Sequence, residues 1–416
     1  MKRKTLIVAM LALLSLAALA QKLTLQGCQE QARSNYPAIR QYGMIDALRD
    51  YTVSNAAKAW LPQVSLQAGA DAFTNLLNVN EPMKQMGIDT KNYVGNASVT
   101  VQQTIYDGGQ IAAGQQVAKA EAEVQRGQLN VTMHEVDERV EQLYFGILTL
   151  DEQLRQNTTL QQDLAVSATT VKSLVNNGLA NQSDIDAISV EQLKAEQQAE
   201  AFTASRKAYI KMLAVLTGQQ IGEGAELDRP EMKQAVPMVA WGKERPETGW
   251  YDSKNELLNA QRKLLDARLR PTLGLTGMGL IHSNVSDRIN RGLLLAGVSL
   301  KWNVGALYTR KNDLRRIEVQ RQQNDNGRDV FLFNNRLQNE EADGSIQALR
   351  QQVAKDADIV RLRENIRQTN ERKVRLGTES VNELVRSVNA VNLARQQQSL
   401  HELQLLQAIY HTHTIN

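Results

Sequence analysis

Two very long stretches of the chain combine a helical pattern of apolar and polar positions with a complete lack of proline. They run from Gly109 to about Asn176 and from Ala306 to about Arg375. At 1.5 Å per residue, each stretch predicts a helix of about 100 Å. Apolar residues recur at spacings of three and four, which is typical of helices that pack along a seam. The predicted seams are Val117, Ala120, Val124, Gly127 and Val131; Ile346, Leu349, Val353, Asp356 and Val360; and Val381, Leu384, Val388 and Val391, followed by Arg395.

A glycine-centred break follows each long pattern, and another helical pattern follows each break. The breaks lie at 177–183 and 376–380. A glycine just past a helix supplies the left-handed residue of a C-terminal cap, and a serine with an acidic residue opens the next helix. The sequence therefore predicts two long helical hairpins that turn at Gly178 and Gly377.

Four shorter segments alternate between apolar and polar residues, which is the period of a β-strand with one apolar face. The predicted strands span about 62–73, 94–106, 271–281 and 293–303. Their length suits tilted strands that cross a bilayer, whereas the strands of soluble sandwiches run shorter and come in larger sets. The residues predicted to face lipid are Val64, Leu66, Ala68, Ala70, Val99, Val101, Leu273, Leu275, Val298 and Leu300.

Four strands cannot close a barrel, and lipid does not tolerate unpaired strand edges. Two arrangements therefore stay open: the strands form a soluble sheet, or several chains contribute strands to one barrel. Aromatic residues near the strand ends, among them Trp60, Tyr106 and Trp302, fit a membrane interface, and they also fit ordinary packing.

The prolines reveal an internal duplication. Pro37 and Pro62 are 25 residues apart, Pro246 and Pro271 have the same spacing, and the two pairs are offset by 209 residues. The predicted domains are a signal peptide at 1–20, a first repeat at 21–216, an irregular equatorial linker at 217–247 and a second repeat at 248–416.

The predicted signal peptide consists of Lys2, Arg3 and Lys4, an apolar run, and a cleavage site that ends at Ala20. Without those three cations, 45 basic residues (48 − 3) balance 45 acidic ones. Bulk charge therefore does not favour a nucleic-acid partner. We expect an exported protein that binds no nucleic acid.

No set of residues matches a catalytic, phosphate-binding or zinc-binding motif. The histidines fit no ligand motif, and the pair His411 and His413 favours a solvated tail over a metal site. We expect no enzyme activity, no cofactor and no metal. The single cysteine, Cys28, is expected to be buried on the first helix.

Three charged residues, Asp184, Glu383 and Arg386, follow the two predicted turns. Two interpretations stay open for them. They are helix caps and solvated charges, or a symmetric oligomer repeats them as a charged ring at a pore mouth.

Several short motifs occur in a duplicated order along the chain. They are Asn35-Tyr36-Pro37 within 24–37, Trp60-Leu61-Pro62, Ile105-Tyr106-Asp107-Gly108-Gly109, Asn177-Gly178-Leu179 and Leu376-Gly377-Thr378. This order, over the whole mature chain, resembles the TolC family of outer-membrane efflux proteins. No single motif is as specific as the order in which they occur.

The resemblance implies a mainly α fold with a small β part, in which two repeats of long-helix coiled-coil hairpins form a periplasmic tunnel. It implies a homotrimer whose chains each contribute four strands to a twelve-stranded barrel in outer-membrane lipid. The implied function is a passive exit duct of a tripartite efflux or type I secretion system. The alternative is a secreted or periplasmic structural coiled-coil trimer without channel activity.

The implied partners are a periplasmic adaptor protein and an inner-membrane transporter. The residues expected to dock the adaptor are Gly178, Leu179, Leu376, Gly377 and Thr378. The residues expected at the pore entrance, as a gate, are Asp184, Glu383 and Arg386.

The chain departs from the family pattern in two places. The second strand-to-helix junction, at 303–307, lacks the aromatic-Asp-Gly-Gly form. Well-studied relatives carry two aspartates six and nine residues after the second-turn glycine, where this chain has Glu383 and Arg386. The reversed charge at Arg386 argues against a double acidic ring but leaves the constriction in place.

Overall fold

The computed structural model of the protein describes residues 22–72, 93–232, 245–284 and 291–414. The predicted signal peptide at 1–20 and the predicted strand residue Phe73 lie outside the described residues. Within the described part of the chain, no helix is both long and apolar enough to span a membrane.

The described residues form seven α-helices and four β-strands. The helices are α1 (Leu25–Asn35), α2 (Gln41–Ala57), α3 (Gln110–Asn176), α4 (Gln182–Thr217), α5 (Pro246–Arg268), α6 (Ala306–Arg375) and α7 (Val381–Thr414). The strands are β1 (Gln63–Ala72), β2 (Tyr93–Tyr106), β3 (Thr272–Asn284) and β4 (Arg291–Lys301). Short 3-10 turns span Pro37–Arg40 and Lys58–Trp60. The two proline-free stretches are thus continuous helices of 67 and 70 residues, as predicted.

The strands form one antiparallel sheet in the order β1-β2-β3-β4. Each strand pairs with its neighbours in sequence, and a register shift in β2 lies between Thr104 and Tyr106. Within this described sheet, β1 and β4 each have one strand neighbour only, so the sheet has two open edges.

The register tests the predicted strand faces directly, because residues that lie opposite each other in neighbouring strands share a face. Leu66 lies opposite Val99, Val99 opposite Gly279, and Gly279 opposite Leu294. The whole predicted lipid-facing set therefore lies on one face of the sheet, here called the outer face. It consists of Val64, Leu66, Ala68, Ala70, Val99, Val101, Leu273, Leu275, Val298 and Leu300.

The chain folds into two compact units, and each unit contains parts of both sequence repeats. The first comprises the described parts of Met1–Arg40, Asn130–Thr248 and Val330–Asn416, and the second comprises those of Gln41–Leu129 and Gly249–Asp329. In the second unit, glycines on α3 and α6 make room for aromatic residues of α5. A β-carbon at Gly127 would lie 3.1 Å from the Trp250 Cα, and one at Gly327 would lie 3.2 Å from the Tyr251 ring.

The first unit contains two hydrophobic cores. One is built around α1, α3, α4 and α7, with Tyr144, Phe145, Ile210 and Leu406 at its centre. Cys28 belongs to this core and is buried, as predicted, and burial raises the pKa of its thiol to about 11. The other core lies next to the two hairpin turns and joins α3, α4, α6 and α7.

The seams on the second hairpin are confirmed. All four apolar residues of the α7 seam, Val381, Leu384, Val388 and Val391, are buried. On α6, Ile346 is buried against Leu405 and Ile409 of α7. The seam predicted for α3 is wrong in its first part, since the buried stripe there consists of Ala113, Ala118, Ala122 and Leu129. Small alanines pack closest in this part of α3, and Val117, Ala120, Val124 and Gly127 are half-buried beside them.

Candidate functional site

The first hairpin turn is a Schellman motif. The Gly178 N–H donates to the Val175 carbonyl at 3.0 Å, and the Leu179 N–H donates to the Leu174 carbonyl at 2.9 Å. Gly178 has φ of +71°, the left-handed conformation that favours glycine. The predicted left-handed end of this helix is confirmed.

The second turn repeats the first bond for bond. The Gly377 N–H donates to the Val374 carbonyl at 3.0 Å, the Thr378 N–H donates to the Lys373 carbonyl at 2.9 Å, and φ of Gly377 is +71°. The Thr378 hydroxyl adds a bond to the Lys373 carbonyl. The two repeats thus share their turn geometry and not only their order of elements.

Each returning helix begins with a side-chain cap. Before α4, the Asp184 carboxylate accepts the Asn181 N–H at 3.0 Å, as in a capping box. Before α7, the Ser380 hydroxyl accepts the Glu383 N–H at 3.3 Å. These caps define where each turn ends and each helix starts.

The residues expected to dock an adaptor are exposed at both turns. Leu179 is 62% exposed and Leu376 is 78% exposed, and Thr378 is exposed too. Within the described residues, no atom comes within 4 Å of the position a β-carbon would take at Gly178 or Gly377. Each turn therefore offers one exposed leucine beside open space.

The structure pairs two of the three residues expected at a pore entrance and gives the third a capping role. Arg386 lies 3.7 Å from Glu383 and is 81% exposed on its side chain, so the pair is a surface ion pair. Asp184, by contrast, caps its own helix. In a single chain these residues therefore have local roles, as caps and solvated charges.

Farther along the helices, Arg395 makes one charged link to the first hairpin and one within the second. The Arg395 guanidinium of α7 donates to Asp163 of α3 at 3.3 Å and to Glu364 of α6 at 3.3 Å. Glu364 also accepts from Arg367, which lowers the pKa of its carboxyl. In the sequence, these links are indicated only by Arg395 itself, a charged residue at the position that continues the apolar seam of α7.

The acid at a seam position of α6 has a similar explanation. Asp356 is buried, and its Oδ2 lies 2.8 Å from the Nδ1 of His401 on α7. The acidic side chain on one seam thus has a hydrogen-bonding partner on the helix that packs there. Asp356 and His401 are 45 residues apart in the sequence, so no local pattern predicts that they pair.

The two strand-to-helix junctions differ as their sequences do. After β2, Asp107 is buried and its carboxylate accepts the Gly109 and Ile111 N–H groups, while Gly108 and Gly109 both have positive φ. A β-carbon at Gly108 would lie 2.8 Å from the Arg270 Cβ. After β4, the Ala306 N–H donates to the Asn303 carbonyl at 3.2 Å, and Gly305 has no positive φ.

Asn35 of the first motif and Tyr144 of α3 each hold a neighbouring segment of the first unit in place. The Asn35 side chain donates to the carbonyls of Val215 and Leu216 at 3.1 Å. These bonds satisfy two carbonyl groups in the last turn of α4. The Tyr144 hydroxyl lies 2.6 Å from the carbonyls of Leu23 and Asp228. The described part of the linker is therefore attached to Leu23, which forms an isolated parallel bridge with Leu227.

The end of α7 lies in a charged cluster. Nδ1 of His411 lies 3.8 Å from the buried carboxylate of Glu141, which raises the pKa of His411. Nearby, Arg245 donates to the Thr414 carbonyl at 3.0 Å and to Glu138 at 3.3 Å. His411 and His413 are exposed, as predicted for a solvated tail, and His411 also contacts this cluster. Within the described residues, no group of three His, Cys, Asp or Glu side chains is arranged to hold a metal.

These features define a class of protein. A four-stranded open sheet with one apolar face is joined to two long helical hairpins with matched turns. This architecture matches the fold class that the sequence predicted for a subunit of a shared barrel.

The family comparison agrees with this class. Residues 29–219 match the family model described as Outer membrane efflux protein. This match, over 191 of the 416 residues, agrees with the family that the motifs predicted. A search of curated protein sequences found no match.

Solved structures of outer-membrane channels share the fold at low sequence identity. The channel OprN is 14% identical, with a TM-score of 0.73 and coverage of 94% of this chain and 89% of OprN. VceC from Vibrio cholerae is 14% identical, with a TM-score of 0.70 and coverage of 93% and 95%. CusC is 14% identical, with a TM-score of 0.70 and coverage of 95% of each chain. The predicted fold class is confirmed.

Proposed function

We propose that the protein is the outer-membrane exit duct of a tripartite efflux or type I secretion system, assembled as a homotrimer. Each chain would give its four strands to one twelve-stranded barrel, and the hairpin helices would form the periplasmic tunnel. The duct is passive, since transport energy would come from an inner-membrane transporter reached through a periplasmic adaptor.

The single observation that carries the proposal is the described sheet. It has an exposed apolar outer face and two open edges, and open edges are not tolerated in lipid. Pairing β4 of one chain with β1 of the next would satisfy both edges and close a barrel. The matched family supports this arrangement.

Apolar stripes on the helices support assembly as well. Besides its packed seam, α6 carries exposed apolar residues at spacings of three and four: Val330, Phe333 and Leu337, and farther on Ile359, Leu362 and Ile366. A stripe of this spacing is the surface that a helix buries against a partner. Neighbouring copies of the chain are the partner that the proposal requires.

The experiment is membrane fractionation followed by recording in planar bilayers. We expect the protein in the outer-membrane fraction, dependent on detergent for solubility, and producing discrete ion-conducting steps. A protein that is soluble without detergent and conducts nothing would instead be the structural coiled-coil trimer.

We propose further that the two turns receive the adaptor. Leu179 and Leu376 are exposed apolar residues beside open space, and Thr378 stands next to the second glycine. An adaptor would bury these side chains between the ends of the helices.

This proposal is tested by placing a large charge at each turn. Leu179→Arg together with Thr378→Arg should abolish cross-linking to the adaptor and export in a rescue assay. Gln197→Arg, at an exposed position of α4 away from the turn, should leave both intact. Normal export by the double variant would place the docking surface elsewhere.

We propose also that the charges near the second turn hold the entrance closed. The link between Glu383 and Arg386 is exposed, so it is worth a few tenths of a kcal/mol, roughly. Three copies in a ring would repeat this weak link, and weak links suit a gate that must open.

Reversing one charge tests the gate. Arg386→Glu should place like charges together, loosen the entrance and raise single-channel conductance. Glu383→Ala removes the partner and should act in the same direction. Unchanged conductance in both variants would mean that the two residues are ordinary solvated helix surface.

A further inference from the structure

The face of the sheet opposite the outer face, here called the inner face, changes character along its length. Over much of its area it is polar, with Ser65, Gln67, Ser98, Thr100 and Gln102 on β1 and β2. On β3 and β4 it becomes apolar toward the 285–290 connection. Met278 lies opposite Leu295, and Leu280 lies opposite Leu293.

These four residues, Met278, Leu280, Leu293 and Leu295, form one group, here called the inner apolar band. The band continues the rows that begin with Gln67 and Ser98 in one case and with Ser65 and Thr100 in the other. In a strand that alternates between an apolar face and a face in contact with water, all four of these positions would be polar. The strands β3 and β4 are therefore apolar on both faces at this level.

Exposure shows the direction in which the sheet curves. On the outer face Leu294 is 89% exposed, while its neighbour Leu293, on the inner face, is 51% exposed. Met278 and Leu280 are half-buried. A surface depression at this level is lined by three consecutive residues of each strand, from both faces of the sheet, with Gln67, Ser98, Leu280 and Leu293 in the middle of each set. Side chains converge on a concave face and spread on a convex one, so the band lies on the concave side.

We propose that the inner apolar band lines the lumen of the barrel and binds the apolar parts of amphipathic small molecules in transit. The inference rests on the proposed duct, because only a closed barrel gives the concave face a lumen. Three copies of the chain would repeat the band around the pore.

The chemistry of the band determines which solutes it favours. Leucine and methionine side chains in water gain free energy by contact with apolar surface, and hydrated ions offer them none. An apolar ring in a pore also resists wetting, which opposes the passage of hydrated ions. The polar remainder of the inner face would stay in contact with the charged or hydrated part of the same molecule.

The orientation of the band is tested with single cysteines at two adjacent positions. Leu293→Cys should react with a water-soluble cationic methanethiosulfonate, and the bilayer current should fall. Leu294→Cys points to the opposite face and should leave the current unchanged. The native Cys28 is 2% exposed and adds little background. Reaction at Leu294→Cys with none at Leu293→Cys would overturn the assignment of faces.

The binding role is tested by making the band polar without changing its size. The variant Met278→Gln/Leu280→Asn/Leu293→Asn/Leu295→Asn replaces each side chain by a polar one of similar shape. The probes are tetrabutylammonium and tetramethylammonium chloride as blockers of the channel current. We expect the native channel to prefer the butyl compound, and the variant to lose that preference by about tenfold.

A smaller variant, Leu293→Asn/Leu295→Asn, serves if the fourfold variant does not assemble, and it should show part of the same loss. Channels whose preference for tetrabutylammonium is unchanged in the variant would overturn this inference and leave the duct intact. A native protein that forms no channels would overturn the duct, and the inner apolar band with it.

Discussion

The two hairpin turns depend on single glycines whose backbone conformation is unfavourable for any residue with a β-carbon. Gly178 and Gly377 have the same φ of +71° and the same pair of backbone bonds. Space does not exclude a side chain at either position, since no described atom lies within 4 Å. Conformation alone is therefore what selects glycine there.

Gly377→Ala should consequently destabilise the protein by about 1–2 kcal/mol, the cost of a left-handed alanine. Gly344→Ala is the matched control, because Gly344 lies inside α6, has no described atom near its β-carbon position and lacks positive φ. That control should stabilise by about 0.5–1 kcal/mol. Thermal unfolding in mild detergent compares the two, and equal midpoints would contradict the conformational explanation.

His411 gives the protein a pH-dependent contact. Glu141 raises the pKa of His411, so the protonated form is the one that the fold favours. Its contribution to stability is fully present below the unfolded-state pKa of about 6.5 and is lost as pH rises through the higher folded-state pKa.

His411→Gln should therefore lower the unfolding midpoint at about pH 6 and have a smaller effect at about pH 9. Glu141→Gln combined with His411→Gln should show no additional pH dependence from this pair. If the decrease in the unfolding midpoint of His411→Gln became larger as pH rises, the assignment of the protonated form would be contradicted.

For single residues, local sequence rules predict backbone conformations and caps better than they predict long-range partners. The glycines, the serine cap and the buried cysteine all follow from local rules. The contacts of Arg395, with partners 232 and 31 residues away, do not. A charge at a seam position indicates that a partner is needed, but only the packed helices identify it.

At the scale of elements, the strands were the most predictable part of the fold. A period of two assigns each side chain to a face, so all ten predicted outer-face residues lie on one side. The inner apolar band was not predicted, because an apolar run on both faces masks the alternation that identifies a strand. The seam predicted for the first part of α3 was wrong for a related reason. In a long helix with many apolar residues, several stripes with spacings of three and four can be drawn, and the sequence does not show which one is buried.

Leu66→Arg tests the outer face. It should cost about 2–4 kcal/mol near the middle of the bilayer, whereas Arg at the adjacent Gln67, on the inner face, should be mild. The measurement is the yield of assembled, heat-stable protein in the outer membrane. Equal assembly of the two variants would mean that the outer face does not contact lipid.

At the scale of the whole molecule, the duplication in the sequence reappears as structure. Each half contains a strand pair and a helical hairpin with the same turn. The compact units nevertheless combine segments of both halves, because the repeats pack on each other instead of folding apart. Proline spacing revealed the repeat, and no local pattern showed how the repeats combine.

The described sheet does not determine how many chains form the barrel. Four strands with two unpaired edges require other strands, and the family resemblance implies that three chains supply them. Closure would also give the exposed stripes of α6 a partner.

The most direct test is therefore the mass of the assembly, measured by native mass spectrometry after extraction from outer membranes in mild detergent. We predict a single species of three chains that persists on dilution. A stable monomer under those conditions would contradict the shared barrel, and with it the proposal that this protein is an exit duct.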